Sequence, residues 1–201
     1  MRKIIALIII LSGIIVISIP YIQKQYYMAE EQKLINEFLE LNQIFLQQQE
    51  SNDYDYMQDE IILQQDKNFQ TSVIGLLQIE KINLTIPILK GATEENLKIG
   101  AGMMANTSPL GSIGNTGIAA HRSFTYGRMF NRLDEITVGD IVEVETFEGV
   151  LKYEVFDKML VLPDDTSVLN PVENESIITL ITCEPMYNPT HRLIIQAKKV
   201  S

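Results

Sequence analysis

Ser176-Ile177-Ile178-Thr179-Leu180-Ile181-Thr182-Cys183 and, nine positions after its cysteine, Arg192-Leu193-Ile194-Ile195-Gln196 are two β-rich runs separated by a proline-containing turn, Tyr187-Asn188-Pro189-Thr190. Runs of this length, rich in Ile, Leu and Thr and bounded by turn residues, are strands. Cys183 ends the first run, where Glu184-Pro185 must take the chain out of the sheet. It is the only cysteine among 201 residues, so no intramolecular disulfide involves it. It is therefore either a small apolar filling group or a thiol kept for its reactivity.

The same pattern extends upstream to Val73. Short β-rich runs alternate with turn signals over Val73–Glu80, Asn83–Leu89, Thr116–His121, Ile141–Thr146 and Lys152–Val161, followed by Ile177–Cys183 and Arg192–Lys198. Between Gly139-Asp140 and Glu148-Gly149, apolar and charged residues alternate as Val142-Glu143-Val144-Glu145, the signature of a strand with one buried face. Short helices are expected over Glu94–Ile99 and Tyr126–Asp134. Neither a βαβ rhythm nor a glycine-rich phosphate loop is present. The expected class is mostly β, a closed and mostly antiparallel barrel with short helices. A segment of roughly 130 residues can bury enough surface to fold without disulfides.

The N-terminus has a different character. Arg2 and Lys3 precede an uncharged run from Ile4 to Ile22 dominated by Ile, Leu and Val. At about 1.5 Å per residue, such a run crosses a hydrocarbon core of roughly 30 Å. The exit through Ile19-Pro20-Tyr21-Ile22-Gln23 lacks an Ala-x-Ala cleavage pattern, which favours an uncleaved anchor over a signal peptide. The basic residues set the N-terminus in the cytoplasm and the rest of the chain outside. From Gln23 to Glu50 the sequence is rich in Gln, Glu and Lys, with Leu34, Phe38, Leu41 and Phe45 at helical spacing. This predicts a helical stalk lying against the globular part or the membrane surface. Residues 51–70 are polar and acidic and are expected to be a spacer. The predicted division is thus 1–22 anchor, 23–70 stalk and spacer, and 71–201 catalytic or binding domain. A formal net charge of −10 argues against nucleic-acid binding and against adhesion to anionic lipid head groups.

Two histidines accompany the cysteine. His121 ends a probable strand and precedes Arg122-Ser123; by itself it is either structural or a groove-facing base. His191 reads as an exposed turn residue. A thiol becomes a useful nucleophile beside a histidine or a cation, and an arginine fork donates to a carbonyl oxygen that is acquiring charge. His121 and Arg192 are the available partners for Cys183. One cysteine and two histidines show no metal-ligand spacing, so neither a metal nor another cofactor is expected.

Thr179-Leu180-Ile181-Thr182-Cys183, with Arg192 beyond it and Ala119-Ala120-His121-Arg122 upstream, resembles the sortases, cysteine transpeptidases that attach proteins to Gram-positive cell walls. Gly114-Asn115-Thr116-Gly117-Ile118 and Phe130-Asn131-Arg132-Leu133 fit the same pattern over roughly Val73 to Ser201. The resemblance implies a sortase-type β-barrel in which Cys183 attacks the Thr carbonyl of a Leu-Pro-x-Thr-Gly or -Ala sorting signal. His121 then serves as proton donor and acceptor, and Arg192 holds the substrate and the oxyanion. It further implies that Thr182 sits in the substrate groove, and that Leu162, Pro163, Val168 and Leu169, in the Val161–Ser176 loop, line a pocket for the Leu-Pro side chains. The implied partners are secreted proteins bearing the signal and a cell-wall precursor amine of the lipid II type, with the membrane held through residues 4–22.

Compact size, the N-terminal anchor and the motif most resemble class D, with class A next. A pilus-type lid and a second hydrophobic segment are not expected. Many relatives carry Gly-His where this chain has Gly102-Met103-Met104, which bears on the groove's edge. Two other readings stand beside this one: a cysteine peptidase releasing its product to water, and a non-catalytic anchored binding domain with Cys183 inert.

Overall fold

The computed structural model describes residues 2–50 and 73–200. The expected spacer over 51–70 lies outside the described residues. Helix α1 runs from Arg2 to Glu50 without interruption. Eight strands follow: β1 (Val73–Ile79), β2 (Leu84–Lys90), β3 (Ala101–Met103), β4 (Gly114–Ala119), β5 (Ile141–Thr146), β6 (Gly149–Val161), β7 (Ser176–Glu184) and β8 (His191–Lys199). They close into a barrel in the order β1-β2-β3-β4-β7-β8-β6-β5, with β5 paired back onto β1.

Alternation decides which side chains fill it. Val142 and Val144 of β5 are fully buried while Glu143 and Glu145 point outward, and on β6 Tyr153 and Val155 take the inner face. Leu77, Ile86, Ile118, Ile178, Leu180 and Ile195 complete the interior. Each such aliphatic side chain contributes about 1.5–3 kcal/mol on burial, which is what holds a barrel without disulfides together.

Two pairings are parallel, β2 with β3 and β4 with β7; the rest are antiparallel. The parallel β4–β7 pair sends both chains to the same barrel end, which matters for the site. Helix α2 spans Glu94–Ile99, as expected, with Thr93 accepting from the Asn96 amide as its cap. The other expected helix, Tyr126–Asp134, is instead a series of turns ending in a 3₁₀ turn at Leu133–Glu135. Met129 takes φ 50°, and the Asn131 side chain donates to the Ser123 carbonyl and accepts from the Gly127 amide, local bonds that displace the helical ladder. Strand β3 escaped the sequence pattern because Ala-Gly-Met is too short and too poor in β-formers to show a period.

Outside the barrel, α1 lays one face on it. Leu34, Ile35 and Phe38 pack against Val73, Leu76 and Leu89, and Phe38 and Phe45 meet the Phe147 ring at centroid distances of 4.6 and 5.4 Å. Polar contacts fix the register: Glu31 pairs with Arg128 at 3.1 Å, and Asn42 donates to Glu145 at 2.7 Å. The preceding turns are long and apolar enough to cross a membrane, and none of that stretch is buried in the protein. Ser12 and Ser18 in this stretch turn their hydroxyls onto the carbonyls of Ile9 and Ile14, both at 2.8 Å, so neither leaves a free donor.

Candidate active site

The strand registers bring the three candidate residues to one barrel end. In β7 and β8, Cys183 lies directly opposite Arg192. In β4 and β7, Gly117 pairs with Thr179 and Ala119 with Ile181. The ladder continues one step past β4, where the Ala120 amide donates to the Ile181 carbonyl at 3.1 Å. Two residues on from Ala119 and Ile181, His121 and Cys183 therefore leave neighbouring strands on the same side. Because Ile178, Leu180 and Leu193 fill the interior, Cys183 and Arg192 are on the outer face. Cys183 and Arg192 are half-buried and His121 is exposed. The thiol is thus accessible and not a sealed core group.

Thr182 is placed differently from the expectation. Its neighbours Ile181 and Cys183 face outward, so the pleat turns Thr182 inward, where it is 2% exposed. Its hydroxyl donates to the Ala120 carbonyl at 2.9 Å. It braces the backbone just before His121 from beneath the groove and does not line it.

The outer face of β4 and β7, four residues before His121 and Cys183, is covered by the β6–β7 loop. Leu169 lies over Gly117 so closely that a Cβ there would stand 2.7 Å from the Leu169 Cδ2, with Thr107 and Met104 atoms at 3.2 and 3.3 Å. Met104, from the Gly102-Met103-Met104 departure, thus closes on the same glycine as Leu169. The Val168 carbonyl is held from below by three strands. Asn115 Nδ2 and Gln196 Nε2 each donate to it at 2.9 Å. Thr179 Oγ1 donates to Asn115 Oδ1 at 2.7 Å and accepts from Gln196 at 3.2 Å. Asn115 and Thr179 are buried, so this network is dry and costly to break. Of the other expected pocket residues, Val168 and Leu169 are half-buried against the sheet, while Leu162 and Pro163 are exposed where the loop leaves β6.

Two residues that sequence reasoning passed over complete the frame. Arg122, beside His121, forms an ion pair with Glu184, beside Cys183, and reaches Asp134 at 3.0 Å. The Phe130 amide closes the intervening loop onto the His121 carbonyl at 3.1 Å. A residue of opposite charge directly after each of the two chemical candidates is the signal the sequence offers. His191 opens β8, half-buried, with Thr190 Oγ1 2.9 Å from its Nδ1, and does not lie in an exposed turn. Among the described residues, no three His, Cys, Asp or Glu side chains converge as a metal ion requires.

A thiol paired across the strands with an arginine, with an imidazole leaving the neighbouring strand at the same barrel end, is a set that can attack a carbonyl, stabilise the oxyanion and exchange a proton with an amine. A family model described as the sortase domain matches residues 77–200. Sortase A of Bacillus anthracis is 30% identical over 123 residues, covering 61% of this chain and 58% of that protein. Sortase D of Bacillus subtilis is 29% identical over 130 residues, covering 63% and 64%. The chain therefore spans roughly three fifths of the length of these two relatives. Among solved structures, that of a Clostridium perfringens Sortase D5 transpeptidase superposes with a TM-score of 0.65 at 28% identity, covering 85% of this chain and 98% of that one.

Proposed function

The chain belongs to the sortase family, and from that membership we propose that it is a membrane-anchored cysteine transpeptidase acting on C-terminal sorting signals. The observation that carries the proposal is the register of Cys183 opposite Arg192, with His121 leaving the adjoining strand at the same barrel end.

The Cys183 thiolate attacks the Thr carbonyl carbon of a Leu-Pro-x-Thr-Gly or -Ala signal. The carbonyl π electrons move onto oxygen, where the Arg192 fork donates. As the tetrahedral species collapses, the C–N bond breaks and the imidazolium of His121 gives its proton to the leaving amine. A thioester remains. An acceptor amine then attacks it, neutral His121 takes the amine proton, and the thiolate departs, leaving a new amide bond and the starting enzyme. Leu169, Met104 and Val168 form the apolar side of the groove that receives the Leu-Pro portion. Residues 4–22 of α1 anchor the enzyme, with the barrel on the outer side. The acceptor is a cell-wall precursor amine, and the class nearest this chain is D.

The test is product analysis. The full chain in detergent is incubated with Leu-Pro-x-Thr-Gly and Leu-Pro-x-Thr-Ala peptides, with and without a triglycine-like amine. The proposal expects an amide-linked product that grows with amine concentration. Hydrolysis alone, unaffected by amine, would make it a peptidase, and no cleavage across the peptide set would remove the proposal.

A further inference from the structure

Three exposed aromatic side chains crowd the barrel end that carries the candidate site. Phe124, Tyr126 and Tyr187 are 68%, 76% and 71% exposed. Phe124 and Tyr187 nonetheless stack on one another at 5.0 Å with their planes 27° apart. Phe124 and Tyr126 come from the loop after His121, and Tyr187 from the loop after Cys183. Arg132 lies 4.9 Å over the Tyr126 ring. Rings held in place yet presented to the outside are the kind found at membrane–water interfaces.

Helix α1 says which way this end faces. Its contacts with the barrel run in order: Glu31 meets Arg128 of the His121 loop, Phe38 and Asn42 follow, and Phe45 meets Phe147 in the β5–β6 hairpin. The hairpin is at the end of the barrel opposite His121. β5 runs antiparallel to β1, so Thr146 closes near Val73, and β1 in turn ends at Ile79 on the His121 side. Travelling along α1 away from its apolar turns is therefore travelling away from the site. The site is at the near end.

The distances agree. Nine residues separate Ile22 from Glu31, which is about 13 Å of helix. Head groups occupy roughly 6 Å of that on each leaflet. Tyr126 and Phe124 stand two and four residues from Arg128, a span of at most about 7 and 13 Å. The loop tip between Ser123 and Arg128 is thus within reach of the interface. Its cations are each matched by a carboxylate: Arg122 with Glu184 and Asp134, Arg128 with Glu31, Arg132 with Glu135.

We infer that Phe124, Tyr126 and Tyr187 dock into the head-group region of the bilayer that α1 spans, so that the groove opens at the membrane surface. This rests on the anchor assignment of residues 4–22. The lipid II-type amine proposed as acceptor then meets the enzyme at the interface. Contact is by aromatic insertion and not by charge, because the loop has no surplus of cations.

The chain contains no tryptophan, so single Trp reporters are unambiguous. The full chain carrying Phe124→Trp, Tyr187→Trp, Ile14→Trp or Ile113→Trp is reconstituted in phosphatidylcholine vesicles with and without brominated acyl chains. Ile14 is in the apolar run, and Ile113, 68% exposed, precedes β4 at the far barrel end. The inference expects bromine to quench Ile14→Trp most, Phe124→Trp and Tyr187→Trp measurably with a blue-shifted emission, and Ile113→Trp not at all. Quenching at Ile14 with none at 124 and 187 overturns the docking and leaves the anchor intact. No quenching at Ile14 overturns the anchor and the docking with it. Quenching at 124 and 187 that appears only when phosphatidylglycerol is added points to charge-driven adhesion and overturns the aromatic account. In none of these cases does peptide turnover in detergent change, so the catalytic proposal is judged separately.

Discussion

Arg122 and Glu184 form an ion pair across the barrel end, each one residue beyond a chemical candidate, His121 and Cys183. The Arg122 side chain is 7% exposed and Glu184 26%. The pair therefore ties the loop leaving β4 to the loop leaving β7, holding imidazole and thiol in a common frame. Removing one member of a buried pair strands the other charge, at about 3–5 kcal/mol. Glu184's partial exposure reduces that figure, and Arg122→Ala is expected to cost about 2–3 kcal/mol in denaturant unfolding. The double variant Arg122→Met with Glu184→Met should recover part of the loss. A double-variant loss equal to the sum of the two single losses would show that the pair has no coupling.

Arg192 is expected to act on the transition state. Arg192→Ala should lower kcat/KM by about a hundred- to a thousandfold, the range for loss of one oxyanion donor. Arg192→Lys keeps the charge and loses the fork, so it should recover only a part. Steady-state kinetics on a fluorogenic sorting peptide would measure both. A fall carried only by KM would move Arg192 from stabilising charge to binding substrate.

The Asn115–Thr179–Gln196 network positions the Val168 carbonyl and with it the groove wall. Asn115→Ala leaves that carbonyl short of one donor and the Thr179 hydroxyl without its acceptor. A buried group left unpaired costs about 1–3 kcal/mol, so KM for the peptide should rise roughly tenfold while kcat changes less. Labelling of Cys183 by a small thiol reagent, which needs no groove, should proceed as in the parent.

Asp140 gives the fold a pH dependence. Burial works to raise its carboxyl, but the Lys81 ammonium and the Thr137 amide and hydroxyl, at 2.6, 2.7 and 3.1 Å, prevail and hold it below the usual carboxylate range. A carboxyl lowered in the folded state adds stability above its unfolded value, about 3.9, and loses it as pH falls through the folded value. Asp140→Asn should cost about 1 kcal/mol at neutral pH and flatten the decline below pH 4. Denaturant midpoints from pH 7 to 3 would show whether the two curves converge.

Much of this arrangement was legible in the sequence for physical reasons. The alternation Val142-Glu143-Val144-Glu145 has period two, which only a strand explains, the run ending at Cys183 is dense in Ile, Leu and Thr between turn residues, and the Leu34–Phe38–Leu41 stripe has a helical period. The turns over Tyr126–Asp134 are not legible in the sequence, because Asn131's side-chain bonds compete with a helix and leave no trace in periodicity. The motif points Thr182 into the groove, whereas the pleat that turns Cys183 outward must turn its neighbour inward. Arg122–Glu184 and Asn115–Thr179 join residues 62 and 64 positions apart, and such pairings exist only once the registers are known.

The central claim is that Cys183 carries the substrate as a thioester. The most direct measurement is intact-mass and peptide-map analysis of the full chain, quenched in acid during turnover of a Leu-Pro-x-Thr-Gly peptide without added amine. The account predicts an added mass equal to the peptide truncated after Thr, on the fragment containing Cys183, absent in Cys183→Ala and discharged by a triglycine-like amine. Cleavage that continues in Cys183→Ala, or an adduct on any other residue, would contradict it.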